Sequence, residues 1–415
     1  MRTPIPVAEA VARVMQHVRP VEVEEVPLDG AMGRILAEPI IARHSVPPFD
    51  RSPYDGFAIR SIDSEGASGD RRIPFTVIGE IGAGHVGTKT VGPNEAYRIM
   101  TGAQIPDGAD AVVMFEQTVE TGDDFTIRKP FSDGENISRK GEDAAEGEML
   151  IPTGMRIHPG TIALLATFGY ARVKVSRMPV VGVLATGTEL LGTEDELQPG
   201  KIRNSNGPMA AAQLERLGIR ACHYGTTADD LEACTALVRQ ALIECDALIT
   251  TGGVSVGDYD HLPAIYESLG ATVLFNKVAM RPGSVTTVAE LDGKLLFGLS
   301  GNPSACFTGF ELFARPALLS MMGDTAPFMP RFKAKLSEDF KKPNPFTRFI
   351  RAVWQMTGDR ITAAPAGFNK SNAVSSIARG NCFIVLPSGT RGYAQGDEVD
   401  VLLIGSEQGA KDWVL

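Results

Sequence analysis

The residues best suited to chemistry in this chain gather where apolar runs end. One such run, residues 295–299, stops at Ser300-Gly301-Asn302-Pro303-Ser304. Asn at a helix N-cap and Pro at the first helical position predict a helix over about 304–319. The glycine admits a ligand close to the backbone, and the first N–H groups of a helix carry positive partial charge, so the junction suits phosphate or a similar oxyanion. A well-capped helix without a ligand would read the same way. A second run, 246–250, leads into Thr251-Gly252-Gly253-Val254-Ser255-Val256-Gly257-Asp258-Tyr259-Asp260. Paired glycines, a serine hydroxyl and the two acids suit a phosphate-bearing ligand held with a hard cation such as Mg²⁺; a tight turn with a solvated acid is the plainer alternative.

Other acids fall at comparable places. Glu189 follows an apolar run at 180–185, and Asp229 and Asp230 follow one at about 220–224. Cations appear in Lys277-Val278-Ala279-Met280-Arg281-Pro282-Gly283-Ser284, where Lys277 and Arg281 flank a turn that Pro282 and Gly283 shape. Three further polar stretches, 46–60, 98–103 and 141–143, read as turns breaking into strands.

The elements needed to position these loops follow from periodicity. Over 177–326, strands (180–185, 220–224, 246–250, 271–275, 295–299) alternate with helices (208–217, 230–243, 261–269), which predicts a doubly wound parallel sheet. In such sheets ligands sit at the carboxyl ends of the strands, where Glu189, Asp229, Asp260, Gly252 and Gly301 would then converge. Residues 6–18 and 159–168 have helical spacing. Between them the chain is glycine-rich with short β runs (75–78, 111–114), so 44–144 reads as a β-rich domain inserted into a helical module made of 1–43 and 145–176. From 327 to 415, runs at 349–354, 382–386 and 399–404 predict a small C-terminal β domain resembling a barrel. The predicted fold class is α/β plus β modules.

Composition bounds the partners. The chain has 415 residues, 43% hydrophobic and 22% charged, with a net charge of −10; several domains are expected. An acidic chain without a Lys/Arg-rich block is a poor nucleic-acid binder. No apolar run is long enough to span a membrane, and residues 1–10 lack the regions of a signal peptide. Five cysteines without CxxC spacing argue against a disulfide framework or zinc site and fit a reducing cytoplasm.

Taken in order, several stretches resemble the molybdopterin molybdenumtransferase family, which includes bacterial MoeA and the gephyrin E domain. They are PPFDRSPYDGFAIR at 47–60, RIMTGAQIPDGADAVVMFEQT at 98–118, NISRKGEDAAEGEML at 136–150, ATGTEL at 185–190, TTGGVSVGDYD at 250–260, KVAMRPG at 277–283, LSGNPSACF at 299–307 and GNCFIVLP at 380–387. The resemblance implies four domains and an elongated homodimer, with the active site between the doubly wound domain of one subunit and the β module of the other. It implies that Asp55, Thr101, Asp143, Glu189, Asp229 and Asp260 form a polar catalytic set, and that Lys277 and Arg281 meet substrate oxyanions. Arg351 and Ser371 match residues linked with a molybdate site. Three positions depart toward serine: Ser284 stands where many members have lysine, Ser138 where arginine is frequent, and Ser300 where proline is frequent. Arg281 replaces a frequent lysine and keeps its charge.

The implied reaction inserts molybdate into adenylylated molybdopterin and releases AMP, the last step of molybdenum-cofactor synthesis. Mg²⁺ would be held by Asp229 and Asp260 with help from Glu189. Gly252, Gly253, Ser255 and the stretch Ser300, Gly301, Asn302, Pro303 and Ser304 would hold the pterin nucleotide, with Lys277, Arg281, Arg351 and Ser371 on molybdate. Transient contact with other proteins of the pathway fits the same picture. The rival readings are a molybdopterin adenylyltransferase built on the same doubly wound domain, and a gephyrin-like scaffold.

Overall fold

The computed structural model describes residues 3–227, 231–253, 262–341 and 343–404. Its centre is a six-stranded sheet in the spatial order Ala221–Thr227, Val181–Thr186, Ala247–Thr251, Lys294–Leu299, Thr287–Leu291, Thr272–Phe275. The first four strands are parallel, as the alternation predicts. Thr287–Leu291 is reversed, antiparallel to both its neighbours, and the edge strand Thr272–Phe275 points the same way as the first four. The reason is local: Asp292 and Gly293 both take positive φ, 51° and 83°, and make a two-residue hairpin turn between Thr287–Leu291 and Lys294–Leu299.

Residues alternate between the two faces of this sheet. Val181, Val183, Ile249, Phe297 and Leu299 join one apolar cluster with Leu214 and Phe310, while Leu184, Leu248 and Leu296 join another with Val238, Leu262 and Ile265. Helix Asn206–Arg216 and the long helical rod from Pro303 thus cover one face, and helices Leu231–Glu244 and Leu262–Ser268 the other. Each fully buried Leu, Ile or Phe contributes about 1.5–3 kcal/mol to this arrangement. The rod runs Pro303–Gly309, then a π turn at Phe310–Ala314, then Arg315–Met321. Its start agrees with the sequence expectation, while the π turn left no mark in the periodicity.

The first helix is Val7–Gln16. Its Ala10 and Val14 are buried in the central cluster, and Ile5 bridges to Val278. The rest of the N-terminal segment meets distant sequence: Val23–Pro27 pairs antiparallel with Arg172–Ser176, and Ile40–Ile41 with Met149–Ile151. Helix Pro159–Thr167 packs nearby. Between these halves lies a six-stranded sheet in the order Ala111–Met114, Gly56–Ile59, Glu95–Ile99, Ile73–Ile81, Asp124–Ile127, Thr118–Thr121. Phe57 and Phe75 both stack on Phe125 in its core.

At the other end, Arg331–Leu336, Thr347–Thr357, Arg360–Pro365, Cys382–Leu386 and Glu398–Leu403 form a closed five-stranded barrel. Closure comes from Thr347–Thr357, which pairs with Arg360–Pro365 along one edge and Cys382–Leu386 along the other. A two-residue strand from the central domain, Met280–Arg281, adds in parallel to Thr347 and Arg348.

One buried ion network fixes the rod beneath the sheet. The Glu311 carboxylate, on the π turn, is about 1% exposed. It accepts a 2.6 Å hydrogen bond from Gln213 Nε2, pairs with Arg216 and lies 3.9 Å from Arg315 Nε. Replacing Glu311 with Gln strands two guanidinium groups. Stability should fall by about 3 kcal/mol, the low end for a broken buried pair because Arg216 keeps partial access to water. A urea unfolding curve with an unshifted midpoint would show the network to be neutral.

Candidate active site

At the carboxyl ends of the parallel strands two loops approach each other, and glycines explain why they meet through backbone. Gly252 and Gly253 adopt φ of 90° and 65°, and a Cβ on Gly252 would stand 2.2 Å from the Thr186 carbonyl oxygen. No other residue fits there. Gly252 donates its N–H to the Leu299 carbonyl, and Gly301 lies against Gly252. The two glycine loops singled out from the sequence therefore touch. Glu189 sits on the same edge, exposed, with its carboxylate beside Gly187. Among the described residues, two buried polar atoms here have no hydrogen-bond partner, Thr186 Oγ1 and Asn206 Oδ1. The amide of Asn206 is held by donation to the Gly301 carbonyl at 2.8 Å. Orphaned buried acceptors are costly, and a ligand with donors would satisfy them. Asp229, Ser255 and Asp260, with Asp230 and Asp258, lie outside the described residues.

The helix start differs from expectation in one respect. Asn302 and Pro303 occupy the N-cap and first helical positions, but the Asn302 side chain makes no capping bond. The Ser304 N–H is not free: it donates to the Ser371 carbonyl at 3.0 Å, and Ser304 Oγ donates to the Ala373 carbonyl at 2.6 Å. Ser304 thus clips the barrel loop 369–373 to the sheet and brings Ser371 into place. Ser300 Oγ accepts from the Asn302 N–H at 3.3 Å.

That clip closes one side of a cavity of about 410 Å³ between the sheet and the barrel. Arg281, Ser284, Ser300 and Asn302 line it from the sheet, and Arg348, Arg351, Lys370 and Ser371 from the barrel. Arg351 is 1% exposed; its Nε and Nη2 donate to Ser376 Oγ, and Nη2 also reaches the Lys370 carbonyl at 3.1 Å. Burial pushes its guanidinium down to about 10. Among the described residues no carboxylate lines the cavity, and none pairs with any of these four cations. Positive charge without protein counter-charge is unfavourable in a semi-enclosed site and favours an oxyanion. Sequence reasoning missed Arg348 and Lys370, because both precede or follow the runs taken for strands. Lys277, by contrast, lines a separate cavity with Ile5, Arg13 and Phe275, so the structure does not group it with Arg281.

The β module builds a second cluster. Loops 50–55, 100–104 and 138–144 interlock through Arg51 N–H to Ser138, Ser52 N–H to Ala103 and Asp143 N–H to Val46 carbonyls. Asp55 Oδ1 accepts from the Thr101 N–H at 2.7 Å and from Thr101 Oγ1 at 2.8 Å. Asp55, Thr101 and Asp143 are exposed. Among the described residues, no hydrogen bond or ion pair joins this cluster to the central sheet or the barrel.

Known proteins give this geometry its context. Residues 5–169 match the MoeA N-terminal region (domain I and II), 182–320 a probable molybdopterin binding domain, and 333–404 the MoeA C-terminal region (domain IV). The chain is 57% identical over 414 residues to a Staphylococcus aureus molybdopterin molybdenumtransferase, covering 100% of this chain and 99% of that protein.

The chain belongs to the molybdopterin molybdenumtransferase family.

A family member from Staphylococcus epidermidis is also 57% identical, over 415 residues, with 100% and 99% coverage. Two solved structures of a molybdopterin biosynthesis MoeA protein from Pyrococcus horikoshii superpose with TM-scores of 0.83 and 0.84 at 32% and 30% identity, each covering 97% of this chain and 100% of theirs. Membership makes this chain an enzyme of the transferase class. No described helix is long and apolar enough to cross a membrane.

In the β module, Thr101 tunes Asp55. Its N–H and, next, its hydroxyl hold the Asp55 carboxyl below the usual aspartate range. A depressed value means that this bonding supports the folded state above the ordinary aspartate pKa and fades as pH falls through the lowered one. Thr101→Val keeps the N–H donor and removes the hydroxyl. The Asp55 titration should move upward toward the ordinary value, as followed by carboxyl ¹³C shifts; an unmoved titration would show the hydroxyl to be irrelevant.

Proposed function

We propose that this enzyme transfers molybdate to the dithiolene of adenylylated molybdopterin, releasing AMP. The observation that carries the reading is the carboxylate-free cavity of four cations at the junction of sheet and barrel. Molybdate is a tetrahedral dianion and needs donors with positive charge, which Arg281, Arg351 and Ser371 supply. The loop junction beside it, with Gly252, Gly253, Gly301 and the partnerless Thr186 and Asn206 atoms, suits the pterin nucleotide. Backbone there can approach a phosphate as closely as only glycine allows. The two regions share Ser300 and Asn302, so one ligand would lie next to the other.

Carboxylate oxygens suit Mg²⁺, and Glu189, on the same sheet edge, is the described member of the donor set that includes Asp229 and Asp260. When bound, the ion would supply charge neutralisation to a pyrophosphate. Lys277 remains in the proposal as an oxyanion contact reached from its own cavity. Asp55, Thr101 and Asp143 lie in a separate module with exposed polar groups, which supports a homodimer whose active site is shared between subunits. The four proposed domains are 1–43 with 145–176, 44–144, 177–326 and 327–415; separate apolar clusters around Leu165, Phe125 and Ile384 support the first, second and last, while helix Val7–Gln16 packs into the central cluster of the third. A cytoplasmic setting and transient contact with other enzymes of the pathway complete the reading.

The direct test supplies adenylylated molybdopterin, molybdate and Mg²⁺ and follows AMP. Release that requires molybdate is expected; its absence would remove the proposed reaction. Mixing Asp55→Ala and Asp260→Ala chains should restore activity in heterodimers once subunits exchange, whereas silence after proven exchange would place the whole site in one chain.

The cavity makes a second demand. A hydrogen bond to a charged group is worth about 1.5–3 kcal/mol, so Arg351→Ala should raise the molybdate concentration for half-maximal turnover by roughly 10–150-fold. Binding of the adenylylated pterin in the absence of molybdate should change much less. Equal losses for both ligands would mean that no separate molybdate site exists.

A further inference from the structure

The cavity holds one cation more intimately than its chemistry has yet used. Arg348 faces Arg281 in the two-residue ladder that joins sheet to barrel, so the backbone holds these two cations side by side. Burial, and then the Arg281 charge, push the Arg348 guanidinium below the usual arginine range. It donates a long hydrogen bond, 3.4 Å to the neutral Asn344 Oδ1, and the Arg281 guanidinium rests 5.7 Å from the Phe346 ring. A structural arginine at a domain junction ordinarily meets a carboxylate; here two arginines meet each other and open onto the same cavity. Like charges pressed together in a semi-enclosed space are relieved by an anion between them.

Ser284 lies in the same lining, a neutral side chain on the loop that carries Arg281, and the barrel strand presents a positive charge to the same cavity. We propose that Arg348 is a molybdate-binding residue of this chain, supplying positive charge from the barrel, and that it grips the oxyanion together with Arg281. This rests on the reading of the cavity as the molybdate site, and extends it to a residue that neither spacing nor motif singled out. Two guanidinium groups, each a planar fork of donors, can bind adjacent edges of one tetrahedral oxyanion, which a single lysine cannot do.

The test titrates molybdate alone into the full-length protein by calorimetry, with thermal unfolding recorded in its absence. Arg348→Gln should weaken molybdate binding about 10–100-fold. Arg348→Lys, or Ser284→Lys added to Arg348→Gln, should recover most of the loss. Without anion, Arg348→Gln should melt at the same temperature as the parent or slightly higher, because the repulsion with Arg281 is gone. Unchanged molybdate affinity in Arg348→Gln, with the Arg351→Ala variant impaired, would overturn the role of Arg348 and leave the cavity reading intact. No molybdate binding by the parent would overturn both. A lower anion-free melting temperature, with no rescue by lysine at 348 or 284, would make Arg348 a structural strut. An equal loss of adenylylated-pterin affinity would overturn the assignment to molybdate.

Discussion

The two-residue parallel ladder of Met280–Arg281 on Thr347–Arg348 is the contact on which the site depends. It is short, and its own hydrogen bonds would hold little. Its importance is positional: it sets the register of a closed barrel against a twisted sheet, beside the apolar contact that buries Phe349 and Phe383 in the central cluster. Ser304 completes the alignment with two hydrogen bonds into the barrel loop at 371–373. With those contacts made, the anion cavity has both its walls.

The rigidity of those walls has its own source. The glycine pair at 252–253 is wedged beneath the Thr186 carbonyl, and the π-turned rod is bolted to helix Asn206–Arg216 at both ends, by Asn206 to Gly301 and by Gln213 to Glu311. A buried carboxylate contributes little net stability after desolvation, yet it fixes which turn of one helix meets which turn of the other. Polar precision beneath the site thus supports uncompensated charge within it.

Much of this was legible in the sequence, for identifiable reasons. Strand–helix alternation located the site loops because each buried parallel strand is a short apolar run ended by glycine, and 111–114 and 382–386 were read to the residue. The reversed strand was missed although Asp292-Gly293, a hairpin turn by type, lay between two apolar runs. The π turn was invisible because one extra residue per turn barely disturbs the pattern of a helix buried on nearly every side. Arg348 and Lys370 were invisible for a deeper reason: their meeting with Arg281 is decided by docking between domains, and no local period encodes docking. The same holds for Lys277, whose nearness in sequence to Arg281 concealed that it opens on a different surface.

The interrupted N-terminal module bears on how the chain assembles. Val23–Pro27 must wait for Arg172–Ser176, and Ile40–Ile41 for Met149–Ile151, so during synthesis the first forty residues emerge long before their partners. Bringing such distant segments together costs entropy that grows with the logarithm of the intervening length. The inserted β module, once folded, shortens that length: the Ala42 N–H reaches the Glu148 carbonyl at 2.8 Å and the Val46 N–H the Ala144 carbonyl at 2.9 Å, so its two ends leave side by side. Vectorial synthesis then converts a remote encounter into a local one, and the insert serves as the clasp that its host needs in order to close.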